Sequence, residues 1–138
     1  MKKLVLLLAV PAFAFIVPPR DEMKIKGTLK LVKPVEWVYL TYRTTDGTVS
    51  DSVHLDGGEF NFEQKIVEPV LATLSVRFES EPGQKRPSVD RMQVFLEPGK
   101  IKVNVKDSLK FAVVTGSKSH TEFTALTEML KPFREKKQ

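Results

Sequence analysis

From Met23 onward, apolar and polar residues alternate in short stretches, the period-two signature of strands with one buried face. Residues 24–31 open the series, with Ile25, Leu29 and Leu31 set between Lys24, Lys26, Thr28 and Lys30. Residues 35–42 are rich in β-branched and aromatic side chains, as strands are. Val38, Leu40 and Tyr42 share one face there, and Trp37 and Tyr39 the other. The turn Thr45-Asp46-Gly47-Thr48 follows, its Asp-Gly pair expected to supply the positive φ angles of a two-residue hairpin. Val49, Val53 and Leu55 then share a face on the return strand. A second turn, Asp56-Gly57-Gly58, precedes residues 59–66, where Phe60, Phe62 and Ile66 alternate with polar residues.

After Pro69 the alternation becomes strict through Val70, Ala72, Leu74, Val76 and Phe78. Residues 79–90 are polar, hold Pro82, Gly83 and Pro87, and form the longest expected loop. Met92, Val94 and Leu96 begin another strand. Pro98-Gly99 turns it, and Ile101, Val103 and Val105 run back. Residues 109–115 predict one more strand before Gly116. Beyond it the period changes. Ser119-His120-Thr121-Glu122 has the form of a capping box, and Phe123, Leu126, Leu130 and Phe133 recur at helical spacing with Met129 beside them. Pro132 is expected to kink or end that helix. Glu128 and Lys131 can pair weakly on it.

The pattern predicts an all-β fold, an antiparallel β-sandwich of about eight short strands with one C-terminal α-helix. The sandwich is expected over residues 23–116 and the helix and tail over 117–138. No long β-α-β stretch appears, which excludes a doubly wound α/β fold.

The amino terminus follows another logic. Lys2 and Lys3 precede the apolar run Leu4 to Val10, then Pro11 and the small-x-small pattern Ala12-Phe13-Ala14. That order predicts a signal peptide over residues 1–14, cut after Ala14, with a short linker over 15–22. The apolar stretch reaches about 14 residues, short of the roughly 20 a spanning helix needs. The expected location is therefore periplasmic, with no membrane span after cleavage; an uncleaved segment would leave a membrane anchor.

At 138 residues the chain makes one domain. Its 41% hydrophobic and 28% charged residues fit a folded globular protein. Removing Lys2 and Lys3 takes the net charge from +5 to +3, a mild excess. There is no cysteine, which excludes thiol–disulfide exchange, cysteine nucleophiles, thiolate metal sites and lipidation on an N-terminal cysteine.

A series of pieces carries a family resemblance. They are Ile25-Lys26-Gly27 and Val38-Tyr39-Leu40; the stretch from Asp51-Ser52-Val53 through Gly57-Gly58 to Phe60-Asn61-Phe62; Pro69; Phe95-Leu96-Glu97-Pro98-Gly99-Lys100; and Val114-Thr115-Gly116-Ser117. In this order and spacing the chain from about Met23 to Phe133 resembles the domain-of-unknown-function family 4369. The resemblance implies a β-rich module of the Gram-negative envelope, of a kind found ahead of thioredoxin-like oxidoreductase domains. The chain departs from that pattern in having neither a Cys-x-x-Cys nor the lipoprotein cysteine. The resemblance supplies no catalytic residues.

Candidate chemistry is sparse. His54 and His120 are the only histidines, far apart in sequence, whereas a zinc site needs three or four converging ligands. Ser117 and Ser119 lie near His120, but adjacency in a helix cap does not make a triad. Asp46, Asp51, Asp56 and Glu59 cluster around two turns without the alternating spacing of a calcium loop. Lys100, Lys102, Lys106 and Lys110 form a basic stretch, read as protection of an edge strand in preference to an anion or phospholipid patch. No stacking aromatics interleave there, which argues against nucleic acid. No catalytic, cofactor-binding or metal-binding residue is assigned. The expected function is a non-catalytic accessory module with a periplasmic protein partner, a thioredoxin-like protein among the candidates. Its rivals are a truncated remnant of an oxidoreductase and a binder of glycan or small hydrophobic ligands through Trp37, Tyr39 and Tyr42.

Overall fold

A computed structural model describes residues 21–136. The signal-peptide reading lies outside the described residues. So does the expected linker, except for Asp21 and Glu22, the second of which already opens the first strand.

Eight strands form two four-stranded sheets. They are β1 (Glu22–Leu29), β2 (Val35–Thr44), β3 (Gly47–His54), β4 (Glu59–Lys65), β5 (Val70–Phe78), β6 (Val89–Leu96), β7 (Gly99–Val105) and β8 (Val113–Thr115), and helix α1 (Lys118–Glu135) follows. One sheet runs β4-β1-β7-β8 and the other β3-β2-β5-β6. Every pairing is antiparallel except β1 with β7, which is parallel and sets Ile25 beside Ile101 and Lys26 beside Lys102. The expected β-sandwich and its terminal helix are present, with one parallel pair in a mostly antiparallel frame.

The period-two pattern explains the core. Met23 and Ile25, Val38 and Leu40, Phe60 and Phe62, Leu74 and Val76, Val94 and Leu96, and Ile101 and Val103 all turn inward and are buried. Alternate residues face solvent, because successive side chains on a strand point to opposite sides. Gly27 is the inward position of β1 without a side chain. A Cβ there would stand 2.0 Å from the Phe60 ring, so the ring of the neighbouring strand fills the space that glycine leaves.

The two hairpins differ. Gly57 and Gly58 both carry positive φ, 58° and 77°, and Glu59 N–H donates to the Asp56 carbonyl at 3.0 Å. That is the geometry a two-residue hairpin requires. The first hairpin departs from expectation. Thr44 pairs with Gly47, so Thr45 and Asp46 form the turn, and only Gly47 has positive φ. An Asp at positive φ carries strain that glycine avoids, and the chain places the glycine one step later.

The segment expected as a strand over 109–115 is instead a single 3₁₀ turn, Leu109–Phe111, followed by the short β8. Asp90 explains the difference. Its carboxylate accepts from Ser108 Oγ at 3.0 Å and from Leu109 N–H at 2.9 Å, which curls the chain before it can extend. Pro132 lies inside α1 without ending it. Its missing N–H removes one bond to the Glu128 carbonyl, and only the last three residues of the helix lie beyond it.

Candidate functional site

The sandwich has two open sides, and different groups close each. On one side the edge strands β3 and β4 face each other across the sheets. Asp51 lies on the inward parity of β3, between Val49 and Val53, and its carboxylate accepts from Gln64 Nε2 of β4 at 2.8 Å. Tyr42 Oη donates to Gln64 Oε1 at 3.2 Å. Burial, and then the Asp51 charge, push the Tyr42 hydroxyl pKa up, so the phenol stays protonated and keeps donating. This chain of three polar groups is a bridge between sheets. Its signal in the sequence was a carboxylate at a position where the strand's parity calls for an apolar residue.

On the other side α1 docks by its first turn. Ser117 is the N-cap, and its hydroxyl accepts from His120 N–H at 3.1 Å. The expected box at Ser119 is displaced by two residues. Gly116, at φ 88°, turns the chain early, and Glu97 supplies the carboxylate that a capping box would draw from the helix itself. Glu97 accepts from the amides of Lys118 and Ser119 and from Ser119 Oγ. A negative group at a helix amino terminus is favourable both as acceptor and against the helix dipole. Ser117 Oγ donates to the Phe95 carbonyl at 2.9 Å, and His120 Nδ1 accepts from Phe95 N–H at 3.3 Å. Both backbone groups of Phe95, on edge strand β6, are thus engaged by the helix start. The Phe123 ring lies edge-on to the Phe95 ring at 5.3 Å.

His120 can accept that bond only while Nδ1 carries no proton. Burial lowers its pKa below the ordinary 6.5. In the unfolded chain the ring gains its proton first as acid is added. The stability that neutral His120 contributes is therefore complete above the unfolded value and is lost as pH falls towards the folded one. His120→Gln is expected to flatten the fall in unfolding free energy between about pH 7 and 5, measured by urea denaturation. Because Glu97 stands at the same helix start, the readout is the difference between variant and wild type. Equal slopes would contradict this role for His120.

Beyond Phe123 only Thr127 of α1 stays half-buried, on the side that borders β6 across a hollow. No residue of α1 is fully buried, and Leu126, Met129, Leu130 and Phe133 are exposed, Met129 by 70% and Phe133 by 68%. The spacing that predicted an amphipathic helix is real, but most of its apolar stripe meets nothing among the described residues.

The remaining sequence candidates are dispersed. His54 is exposed on the outer face of β3, with the Trp37 ring edge-on at 5.1 Å across the strand pair. Tyr39 lies on the same face beneath the Arg77 guanidinium at 5.9 Å. These are cross-strand pairs of the kind that stabilise sheets. Tyr42 points the other way, into the inter-sheet bridge. Asp46 sits in its turn, Asp56 pairs with Glu59 across the second turn, and Asp51 belongs to the bridge. Among the described residues no three His, Asp or Glu side chains gather as a metal site would need.

The lysines need a correction. Lys100 and Lys102 lie on β7, which runs between β1 and β8, and Lys102 is paired on both sides, so it protects no edge. The edges of that sheet are β4 and β8. Parallel pairing brings Lys24 beside Lys100 and Lys26 beside Lys102 on the solvent face, a gathering from two distant segments. A shallow hollow of about 520 Å³ lies there, lined by Lys26, Thr28, Glu59, Asn61, Lys102 and Asn104.

Comparison with known proteins gives one match. The model of a family described as Domain of unknown function (DUF4369) covers residues 23–123, all eight strands and the docked start of α1. No curated protein and no solved structure matches the chain.

Proposed function

This chain belongs to the DUF4369 family, and from that membership together with the exposed stripe of α1 we propose that it is a non-catalytic interaction module of the bacterial envelope. Its partner is a thioredoxin-like protein acting in trans in the periplasm, reached after cleavage behind Ala14. The observation that carries this reading is α1 itself. The Phe95 backbone and the Glu97 side chain, at the end of β6, fix its first turn, whereas Leu126, Met129, Leu130 and Phe133 stand uncovered along one stripe. An apolar helix face held rigidly away from its own core is a recognised mode of protein docking. The family resemblance supplies the class of partner, and the absence of cysteine assigns any thiol chemistry to that partner.

The test is capture from envelope extract with the full chain as bait. Wild-type protein should recover a thioredoxin-like protein identified by mass spectrometry. Leu126→Asp/Leu130→Asp should lose it while keeping the strand-rich circular dichroism spectrum, because both side chains are solvent-exposed. Undiminished recovery by the variant, or no thioredoxin-like protein with wild type, would overturn the reading.

A further inference from the structure

We propose that the outer face of the β4-β1-β7-β8 sheet is an anion-binding surface that seats the protein on a membrane rich in anionic phospholipid. Parallel pairing of β1 with β7 lines up Lys24 with Lys100 and Lys26 with Lys102, and Lys30 N–H donates to the Val105 carbonyl, which sets Lys30 near Lys106. Six lysines from two segments of the chain thus form a double row. Lys24 is engaged by Glu22 at 3.5 Å and Glu63 at 3.6 Å. Those two carboxylates, Glu63 foremost, hold its pKa up. For Lys26, Lys30, Lys100, Lys102 and Lys106 no carboxylate lies within ion-pairing distance among the described residues.

Like charges directly opposite on neighbouring strands are destabilising. Protection of an edge cannot be the return for that cost at Lys26 and Lys102, because each lies between two paired strands. A field of unpaired ammonium groups on a sheet face attracts anions. Thr28, Asn61 and Asn104 line the hollow between Lys26 and Lys102, and the carboxylates of Asp56 and Glu59 border it at the β4 side, neither of them within ion-pairing distance of Lys26 or Lys102.

The choice of a membrane over a free polyanion rests on apolar side chains beside the lysines. The β1–β2 loop and the turn after β7 leave from the same end of the sheet, since Leu29 stands beside Val105. Val32 there is 95% exposed and Phe111 68%. Val113, opposite Asn104 on β8, is 58% exposed and shares the outer face. Lys30, Lys106 and Lys110 flank these residues in sequence, as does Lys33, which is paired with Glu81 at 3.1 Å, and Lys110 Nζ lies 5.6 Å from the Phe111 ring centre. Uncovered apolar side chains set among lysines are what a headgroup layer takes in, the charges meeting phosphate and the apolar groups entering the acyl boundary. A soluble polyanion gives Val32 and Phe111 nothing.

The test uses the purified full chain and sedimentation with vesicles. Vesicles of phosphatidylcholine mixed with phosphatidylglycerol should bind the protein, and pure phosphatidylcholine should not. Each lysine lost near an anionic surface lowers affinity about fivefold, so Lys26→Gln/Lys102→Gln/Lys106→Gln should lose about a hundredfold. A control with equal charge change in other segments, Lys85→Gln/Arg86→Gln/Lys118→Gln, should bind as wild type does. Phe111→Ser should weaken binding while keeping the dependence on phosphatidylglycerol. Loss of like-charge contacts should leave the first variant melting no lower than wild type, which separates a binding defect from a folding defect. Equal binding by the two triple variants, or binding to soluble heparin as tight as to vesicles, would overturn the proposal.

Discussion

Gly116→Ala is expected to destabilise the protein by about 2–5 kcal/mol, the sum of backbone strain and a steric clash. Gly116 has φ 88°, a region that L side chains rarely adopt. A Cβ at that position would stand 2.1 Å from the Lys100 carbonyl oxygen and 3.1 Å from its carbon. Those are backbone atoms of an interior strand and cannot swing aside as a side-chain tip can. The consequence extends to function, because Gly116 delivers Ser117 to its cap and so fixes the start of α1. Gly83 is the control. It has a similar φ of 84°, but a Cβ there meets nothing within 4 Å. Gly83→Ala should cost only the conformational strain, about 1 kcal/mol. Urea denaturation of both variants separates the two effects. Equal losses would mean that the close approach of Gly116 to Lys100 does not exist.

Much of this architecture was legible because the strands are amphipathic. Val38, Leu40 and Tyr42 were separable from Trp37 and Tyr39 by parity alone, and both sets lie where parity put them. Phe60 and Phe62, and Ile101 and Val103, were equally plain. Period two reports which face is buried, but it says nothing about which strand lies next to which. The parallel partnership of β1 and β7 pairs residues 76 positions apart, as Met23 with Gly99, so nothing in the sequence sets Lys24 and Lys26 beside Lys100 and Lys102. Edge protection by Lys100 to Lys110 requires β7 to be an edge strand, and alternation along one segment does not encode strand order.

The helix start, at Ser117 and not Ser119, is set by contacts of the same long-range kind. Ser117 and Ser119 are both acceptable caps by local chemistry. What selects Ser117 is tertiary: Gly116 turning against Lys100, Glu97 reaching over from the β6–β7 turn, and Phe95 receiving the Ser117 and His120 side chains. Likewise the helical spacing of Leu126, Leu130 and Phe133 promised a buried stripe without naming what buries it. The sandwich takes only Phe123 of that series against Phe95. Asp51 carries a signal of its own. A carboxylate flanked by Val49 and Val53 on an inward parity demands a partner, and Gln64 of the facing edge strand provides it.

The registry of β1 against β7 underlies both the two-sheet frame and the lysine surface, and thiol cross-linking reads it directly. The chain has no cysteine of its own, so introduced pairs report without background. Thr28 and Asn104 are direct partners on the solvent face, with neighbouring strands about 4.8 Å apart. Thr28→Cys/Asn104→Cys and Lys26→Cys/Lys102→Cys should each join almost completely under a short bifunctional thiol reagent. Thr28→Cys/Lys100→Cys, offset by four residues or about 13 Å along the strand, should not. Joining of the offset pair with none between Thr28→Cys and Asn104→Cys would show a slipped or antiparallel arrangement and contradict the fold and the surface built on it.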